Sequence, residues 1–392
     1  MPRSRDNDPW GQPPWEIDFR PASRALPEKI DIAIIGAGFT GLAAAAWLRL
    51  IAPGKSVVVL ESHHIGAGAS GRTGGMALSE TAAGPQRGVG DVLGSLEKFL
   101  KKLRVDCELN LNGAWEIARQ PESKDARRPQ SPVEWTDSGT LRVVGEVPGG
   151  TLHPGKLVSG LARAAQRHGA IICENHRVEQ VQWNHEPEIH LALGAGRFRN
   201  LTAAKIIFAT NALSLEVSGL GDKAHSRLTL AVLAKPVSEK VLKAIGLAAR
   251  KPFYTADLPY LWGRVRRDRS VIWGAGLVQS PDSDNLYRVD IEAPESSQTF
   301  QRLEERVRGL HPLLAETRFT HRWGGPILFR DSWKPVFDWH PQSVRQGKNP
   351  QNAIVAGAYA GHGVALSSYL GKWAAEALLG RRKLPAWGAI KS

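Results

Sequence analysis

Gly36-Ala37-Gly38-Phe39-Thr40-Gly41 follows an apolar run, Ile30 to Ile35, and opens an alanine-rich stretch, Leu42 to Ile51. This is the spacing of a pyrophosphate-binding turn. Gly36 permits the tight turn, Gly38 lets a phosphate approach the backbone, and Gly41 lets a helix pack close to a strand. The helix N-terminus adds unpaired N–H groups and a partial positive charge. Glu61, with Ser62 beside it, ends the next apolar run, Val57 to Leu60. A carboxylate there accepts both hydroxyls of an adenosine ribose and repels a 2′-phosphate, which disfavours NADP. FAD and NAD are not separated by this unit. A second glycine-rich stretch, Gly66 to Gly75, contains Ser70, Gly71, Arg72, Thr73, Gly74 and Gly75. An NAD site has no use for it. A longer dinucleotide such as FAD reaches toward the far side of the sheet, where backbone N–H groups could meet it without side-chain clashes. The plainer reading is a flexible linker, but a linker has no reason to place Ser70 and Arg72.

The elements that must hold these residues form a βαβ unit: a strand at Ile30 to Ile35, a helix at Leu42 to Ile51 and a strand at Val57 to Leu60. Residues 1–28 are broken by Pro9, Pro13, Pro14, Pro21 and Pro27 and read as an irregular lead-in, tethered by Trp10 and Trp15. Downstream, helices are expected at Gly94 to Leu103, Leu157 to His168, Gln298 to Leu310 and Val364 to Leu379. Strands are expected at Ala170 to Cys173, Lys205 to Ala209, Leu228 to Leu233, Val271 to Trp273 and Ala353 to Ala356. Gln120 to Ser138 reads as a polar surface excursion. The expected fold is α/β, a Rossmann-type FAD-binding domain built from discontinuous segments with an interleaved strand-rich α+β substrate domain. The first takes residues 29–84, 153–225 and 322–382, the second 85–152 and 226–321, and 383–392 form a tail.

The 392-residue chain is 42% hydrophobic and 23% charged, the balance of a folding globular protein. The N-terminal region lacks a basic-then-apolar signal, and no stretch suits a membrane span, so the cytoplasm is the expected location. Two cysteines, Cys107 and Cys173, exclude a disulfide framework or a cysteine metal site, and no metal is expected. The net charge of +13 raises the question of nucleic acid. Its basic groups, Lys101 to Arg104, Arg127-Arg128, Arg264 to Arg269 and Arg381 to Lys383, are scattered, and solvated faces are the expectation. An RNA-associated flavoprotein stays as a minority alternative.

Together these motifs resemble the FAD-dependent superfamily of D-amino acid, glycine and sarcosine oxidases, and within it the gamma-glutamylputrescine oxidoreductase type. The likeness runs from Pro13-Pro14-Trp15 and the two glycine loops through His153 to Leu157 and Phe208-Ala209-Thr210-Asn211-Ala212. It continues in Arg322-Trp323-Gly324-Gly325 and Ala360 to Ser367. The resemblance implies that Val178 meets the adenine through its backbone, that Ala209 and Thr210 line the cofactor, and that Gly361, His362, Gly363 and Val364 lie beside the flavin pyrimidine. A helix beginning there would stabilise negative charge on reduced flavin. Some relatives bind FAD through a cysteine in the C-terminal third. None follows Cys173 here, so FAD is expected to be non-covalent.

The resemblance further implies oxidation of an amine or amino acid C–N bond to an imine, by hydride transfer to flavin N5 with O2 or another acceptor closing the cycle. A FAD-dependent 2-hydroxy acid dehydrogenase is the alternative. Ala365 stands where sarcosine-oxidising relatives carry a carboxylate-holding Lys, and Thr73 where relatives have Asn. Arg330 is either a pocket guanidinium that favours a substrate carboxylate or a partner of Asp331 or Asp338. Arg264 carries the same ambiguity. His362 reads as a hydrogen-bond partner of the flavin. One or two of Trp262, Trp273, Trp323, Trp333 and Trp339 are expected to line the pocket.

Overall fold

Ile30 to Ile35 offer a sheet little but apolar side chains, and the strand they form is buried on both faces. In the computed structural model, which describes residues 8–120, 131–345 and 351–390, this strand, Lys29–Ile35, lies inside the first of two large sheets. It pairs in parallel with Val57–Leu60 on one side and Phe198–Phe208 on the other. Ile171–Cys173 extends the sheet beyond Val57–Leu60, and Ala353–Gly357 beyond Phe198–Phe208, both in parallel; antiparallel Val336–Trp339 closes the latter edge. The helix Phe39–Ile51 packs against the helices Gly363–Leu378 and Pro154–Arg167. Its alanines make that close approach possible, since Ala43 to Ala46 are all fully buried.

The second sheet runs, in spatial order, Phe319–Phe329, His225–Ala234, Val271–Leu277, Leu261–Val265, Phe253–Thr255, Ala114–Gln120, Thr140–Val147 and Glu134–Thr136. All its pairings are antiparallel except that of Phe253–Thr255 with Ala114–Gln120. Trp135, Phe253 and Trp273 meet edge to face at ring distances of 5.0 to 5.4 Å and fill its core, so Trp273 is a packing residue. The small pair Met76–Leu78 and Gly149–Thr151 stands apart from both large sheets.

Several expected elements differ in extent. The strand Phe198–Phe208 starts earlier than Lys205, because its first half pairs with the antiparallel strand Glu188–Ala192. The helix Pro294–Gly309 starts before Gln298, with a proline in its first turn, where the missing N–H costs nothing. Residues 322–329, expected with the cofactor-binding segments, instead pair with His225–Ala234 in the second sheet. The lead-in is tethered by indoles: Trp10 Nε1 donates to the Leu286 carbonyl at 3.0 Å and Trp15 Nε1 to the Gly71 carbonyl at 2.7 Å.

Arg127-Arg128 and most of the polar excursion lie outside the described residues. Members of two other basic groups are paired: Arg267 with Glu108, Arg266 with Asp268, and Arg382 covers the Trp373 ring while pairing with Glu376. Among the described residues no helix is long and apolar enough to cross a membrane.

Candidate functional site

The two large sheets face a common cavity of about 560 Å3. Its first end is made of backbone. Gly36 has φ +104°, and a Cβ there would lie 2.6 Å from the Ala209 carbonyl oxygen. At Gly38 a Cβ would crowd Ser70, whose hydroxyl accepts from Phe39 N–H at 2.9 Å. Gly41 does not line the cavity. Its absent side chain lets the helix sit against the Gly36 carbonyl, the packing role expected of the third glycine.

Glu61 stands at the end of Val57–Leu60 and also lines the cavity. One carboxylate oxygen accepts from Ala37 N–H at 2.9 Å, the other from His63 N–H at 2.9 Å and the Ser62 hydroxyl at 3.2 Å. These bonds aim the carboxylate. Ser62, His176, Arg177 and Val178 line the same end. Further along, Ala209 and Thr210 contribute from the end of Phe198–Phe208, and Thr40 bonds the buried Tyr359 hydroxyl at 2.7 Å.

The helix Gly363–Leu378 points its N-terminus at the cavity, with Gly361, His362, Gly363 and Val364 in the wall. No side chain caps it. His362 Nδ1 lies 3.3 Å from the Ala360 carbonyl, and burial holds its pKa below the ordinary histidine value. The Thr210 and Ser367 hydroxyls line the cavity, buried and without a partner among the described residues. Buried hydroxyls ordinarily have partners. Orphaned hydroxyls, a glycine cradle and a bare helix N-terminus together fit a long, polar, anionic group such as FAD.

The second glycine loop divides into wall and turn. Ser70, Arg72, Thr73 and Gly74 line the cavity, whereas Gly71 closes a turn onto Gly66 at 3.0 Å and Gly75, with φ +79°, packs against the Leu152 carbonyl. The guanidinium groups of the three candidate arginines are held by other partners. Arg72 donates to the Trp10, Gly11 and Gly324 carbonyls at 3.2, 2.8 and 2.9 Å and pairs with Asp8, so it locks the lead-in onto the second sheet. Arg264 donates through Nε to the Gly74 carbonyl behind the cavity wall, and burial lowers its pKa to about 10, so it stays charged. Arg330 is buried away from the cavity, on the Lys334, Ala389 and Pro335 carbonyls. Backbone carbonyls, unlike the acidic partners Asp331 and Asp338 anticipated from the sequence, leave no charge signature to read.

Sequence reasoning missed most of the opposite wall. Trp262 fills the gap between Gly74 and Gly274, and Trp323 donates to the Arg72 carbonyl at 2.8 Å; with Trp333, three of the five clustered tryptophans line the cavity. Tyr260, Leu258 and Leu277 join them. Only the density of tryptophans signalled this wall. Neither cysteine lines the cavity, and burial pushes the thiols of Cys107 and Cys173 up to about 12 and about 11. Among the described residues no group of three or more His, Cys, Asp or Glu could hold a metal.

Comparison with known proteins agrees with this arrangement. Gamma-glutamylputrescine oxidoreductase of Escherichia coli K12 is 26% identical over 396 aligned positions, covering 89% of this chain and 84% of that one. Glycine oxidase from Geobacillus kaustophilus superposes with a TM-score of 0.68 at 17% identity, over 91% of this chain and 96% of its own. L-amino acid deaminase from Proteus myxofaciens gives 0.69 at 14% identity, over 94% of each. At such identities the likeness is one of fold. The DAO family of FAD dependent oxidoreductases matches residues 31–377, nearly the whole chain, and this protein therefore belongs to that family.

Proposed function

We propose that this chain oxidises the C–N bond of an amine or amino acid to an imine, which water then hydrolyses. FAD, when bound, supplies the two-electron acceptor that takes hydride from the carbon beside nitrogen and passes the electrons to O2 or another acceptor. Glu61 and Ser62 hold the ribose, the Gly36 and Gly38 backbone receives the pyrophosphate, and Val178 meets the adenine. Thr210 and Ser367 give their hydroxyls to the same group, with Ala209 beside them. The N–H groups of Gly363 and Val364, at the uncapped start of the helix, stabilise negative charge at the flavin pyrimidine.

The observation that carries this reading is the continuity of the cavity, which passes from the glycine turn by the helix N-terminus at Gly363 to the wall of the second sheet. A small molecule against that wall lies beside the redox end of the cofactor. The relatives named above, an oxidoreductase of an amine, a glycine oxidase and an amino acid deaminase, support a C–N bond as the target. A neutral amine brings its own lone pair, and its N–H proton leaves to water, so no general base is required. His362, kept neutral by burial, orients as a hydrogen-bond partner.

Anaerobic reduction of the holoprotein by an amine should quicken between about pH 6 and about pH 10, as the substrate ammonium deprotonates. A flat profile overturns the mechanism.

A further inference from the structure

The cavity wall on the second-sheet side presents no free cation among the described residues. Arg72 and Arg264 are held by backbone carbonyls, His362 is neutral, and Arg177 sits beside Val178 at the opposite end. Glu80 follows the cavity-lining strand Met76–Leu78, and burial together with Glu116 raises its carboxyl pKa; the Tyr254 hydroxyl donates to Glu116 at 3.3 Å. A substrate carboxylate in this chamber would lose its water and gain no counter-charge, which disfavours it.

What the chamber offers is apolar surface. Leu258 is 83% exposed and Trp333 50% exposed, yet both line the cavity. Trp333 stacks on Phe329 at 5.4 Å and 11°, which fixes its ring. The pairings Arg227 with Ile327, Thr229 with Leu277 and Leu261 with Ala275 put Phe329, Leu277 and Leu258 at the same end of the sheet. At the usual strand spacing this strip is about 15 Å long. It has a clear floor, since the space over Gly276 holds no atom within 4 Å of a Cβ position. Exposed apolar side chains gathered at a cavity mouth mark a binding surface.

We propose that the substrate is an amine with an extended apolar substituent and no carboxylate on the reacting carbon, its tail lying along Leu258, Leu277, Phe329 and Trp333. This rests on the amine-oxidising reading above. Two measurements on the holoenzyme test it. The first is anaerobic flavin reduction by straight-chain primary amines of about four to about ten carbons, each compared with the amino acid that adds a carboxylate to the reacting carbon. The second is tryptophan-fluorescence titration with tert-alkylamines of increasing length, which have no hydrogen on the carbon bearing nitrogen and so bind without reacting. Reduction efficiency and binding should both rise on the order of threefold per methylene. Each amino acid should be at least about 100-fold poorer than its amine. Trp333→Ala, which empties one end of the strip, and Gly276→Leu, which fills its floor, should both flatten the dependence on length. Amino acids that reduce the flavin as well as their amines, or rates and affinities indifferent to length, overturn this proposal and leave the amine-oxidising reading standing. If no amine or amino acid reduces the flavin, that reading falls and takes this proposal with it.

Discussion

At the end of the cavity under the first sheet, the atoms that face a ligand belong mainly to the backbone, held by Gly36 at φ +104°, by Gly38 against Ser70 and by the uncapped helix at Gly363. At the other end the wall is mainly side chains, Trp262 and Trp323 on antiparallel strands and Trp333 after one of them, together with small residues such as Ala231, Gly276 and Gly325. A backbone site tolerates almost no change at its glycines. A side-chain wall can be reshaped residue by residue while the strands keep their pairing, so the first end suits a fixed cofactor and the second a substrate that varies between relatives.

The sharpest way to break this contrast is Gly36→Val. A branched side chain at a positive φ, pressed against the Ala209 carbonyl, adds about 1–3 kcal/mol of backbone strain on top of the collision. FAD affinity should fall by about 100-fold or more, and the purified protein should lack flavin absorbance. Full flavin content would end the backbone account. Arg72→Met removes the clamp that joins the lead-in, the second glycine loop and Gly324. Stranded carbonyls and an unpaired Asp8 should lower the unfolding free energy by about 3 kcal/mol in a urea titration.

A third test sits outside the cavity. His340 is sandwiched between Trp183 and Phe208 at 4.6 and 4.8 Å, and burial lowers its pKa from 6.5 to about 4. The unfolded chain therefore takes up a proton that the folded one refuses. Stability is fully present above the unfolded value and is lost as pH falls toward the folded one, by about 2 kcal/mol between about pH 7 and about pH 5. His340→Phe should remove that part of the slope in urea titrations at the two pH values. The smallest effect is expected from Glu61→Gln, which keeps the shape and loses the charge that grips the ribose. FAD should bind about tenfold more weakly by flavin fluorescence, with the fold unchanged.

The same contrast explains what could be read before the structure. The glycine turn, Glu61 and the strand at Val57–Leu60 were legible because a close backbone approach demands glycine at fixed positions, whatever the surrounding fold. The helix beginning near Val364 was legible from its apolar spacing, while the place of Gly361 to Val364 beside the cofactor was implied by the family resemblance. The opposite wall depends on which face of each strand turns inward and on the spatial order of strands far apart in the chain. Neither is local. Residues 322–329, expected among the cofactor-binding segments, therefore pair within the second sheet, and Arg264 and Arg330, left open between a substrate carboxylate and an acidic partner, are held by backbone carbonyls. A buried arginine on carbonyls looks, in sequence, the same as one awaiting a carboxylate.

Oxidation at a C–N bond, and not at a C–O bond, can be read from the flavin itself. The holoprotein is mixed anaerobically with amines and with 2-hydroxy acids of matched carbon skeleton while flavin absorbance is followed. Amines should bleach the flavin and hydroxy acids should leave it oxidised. Bleaching by hydroxy acids while every amine leaves the flavin oxidised would contradict oxidation at a C–N bond.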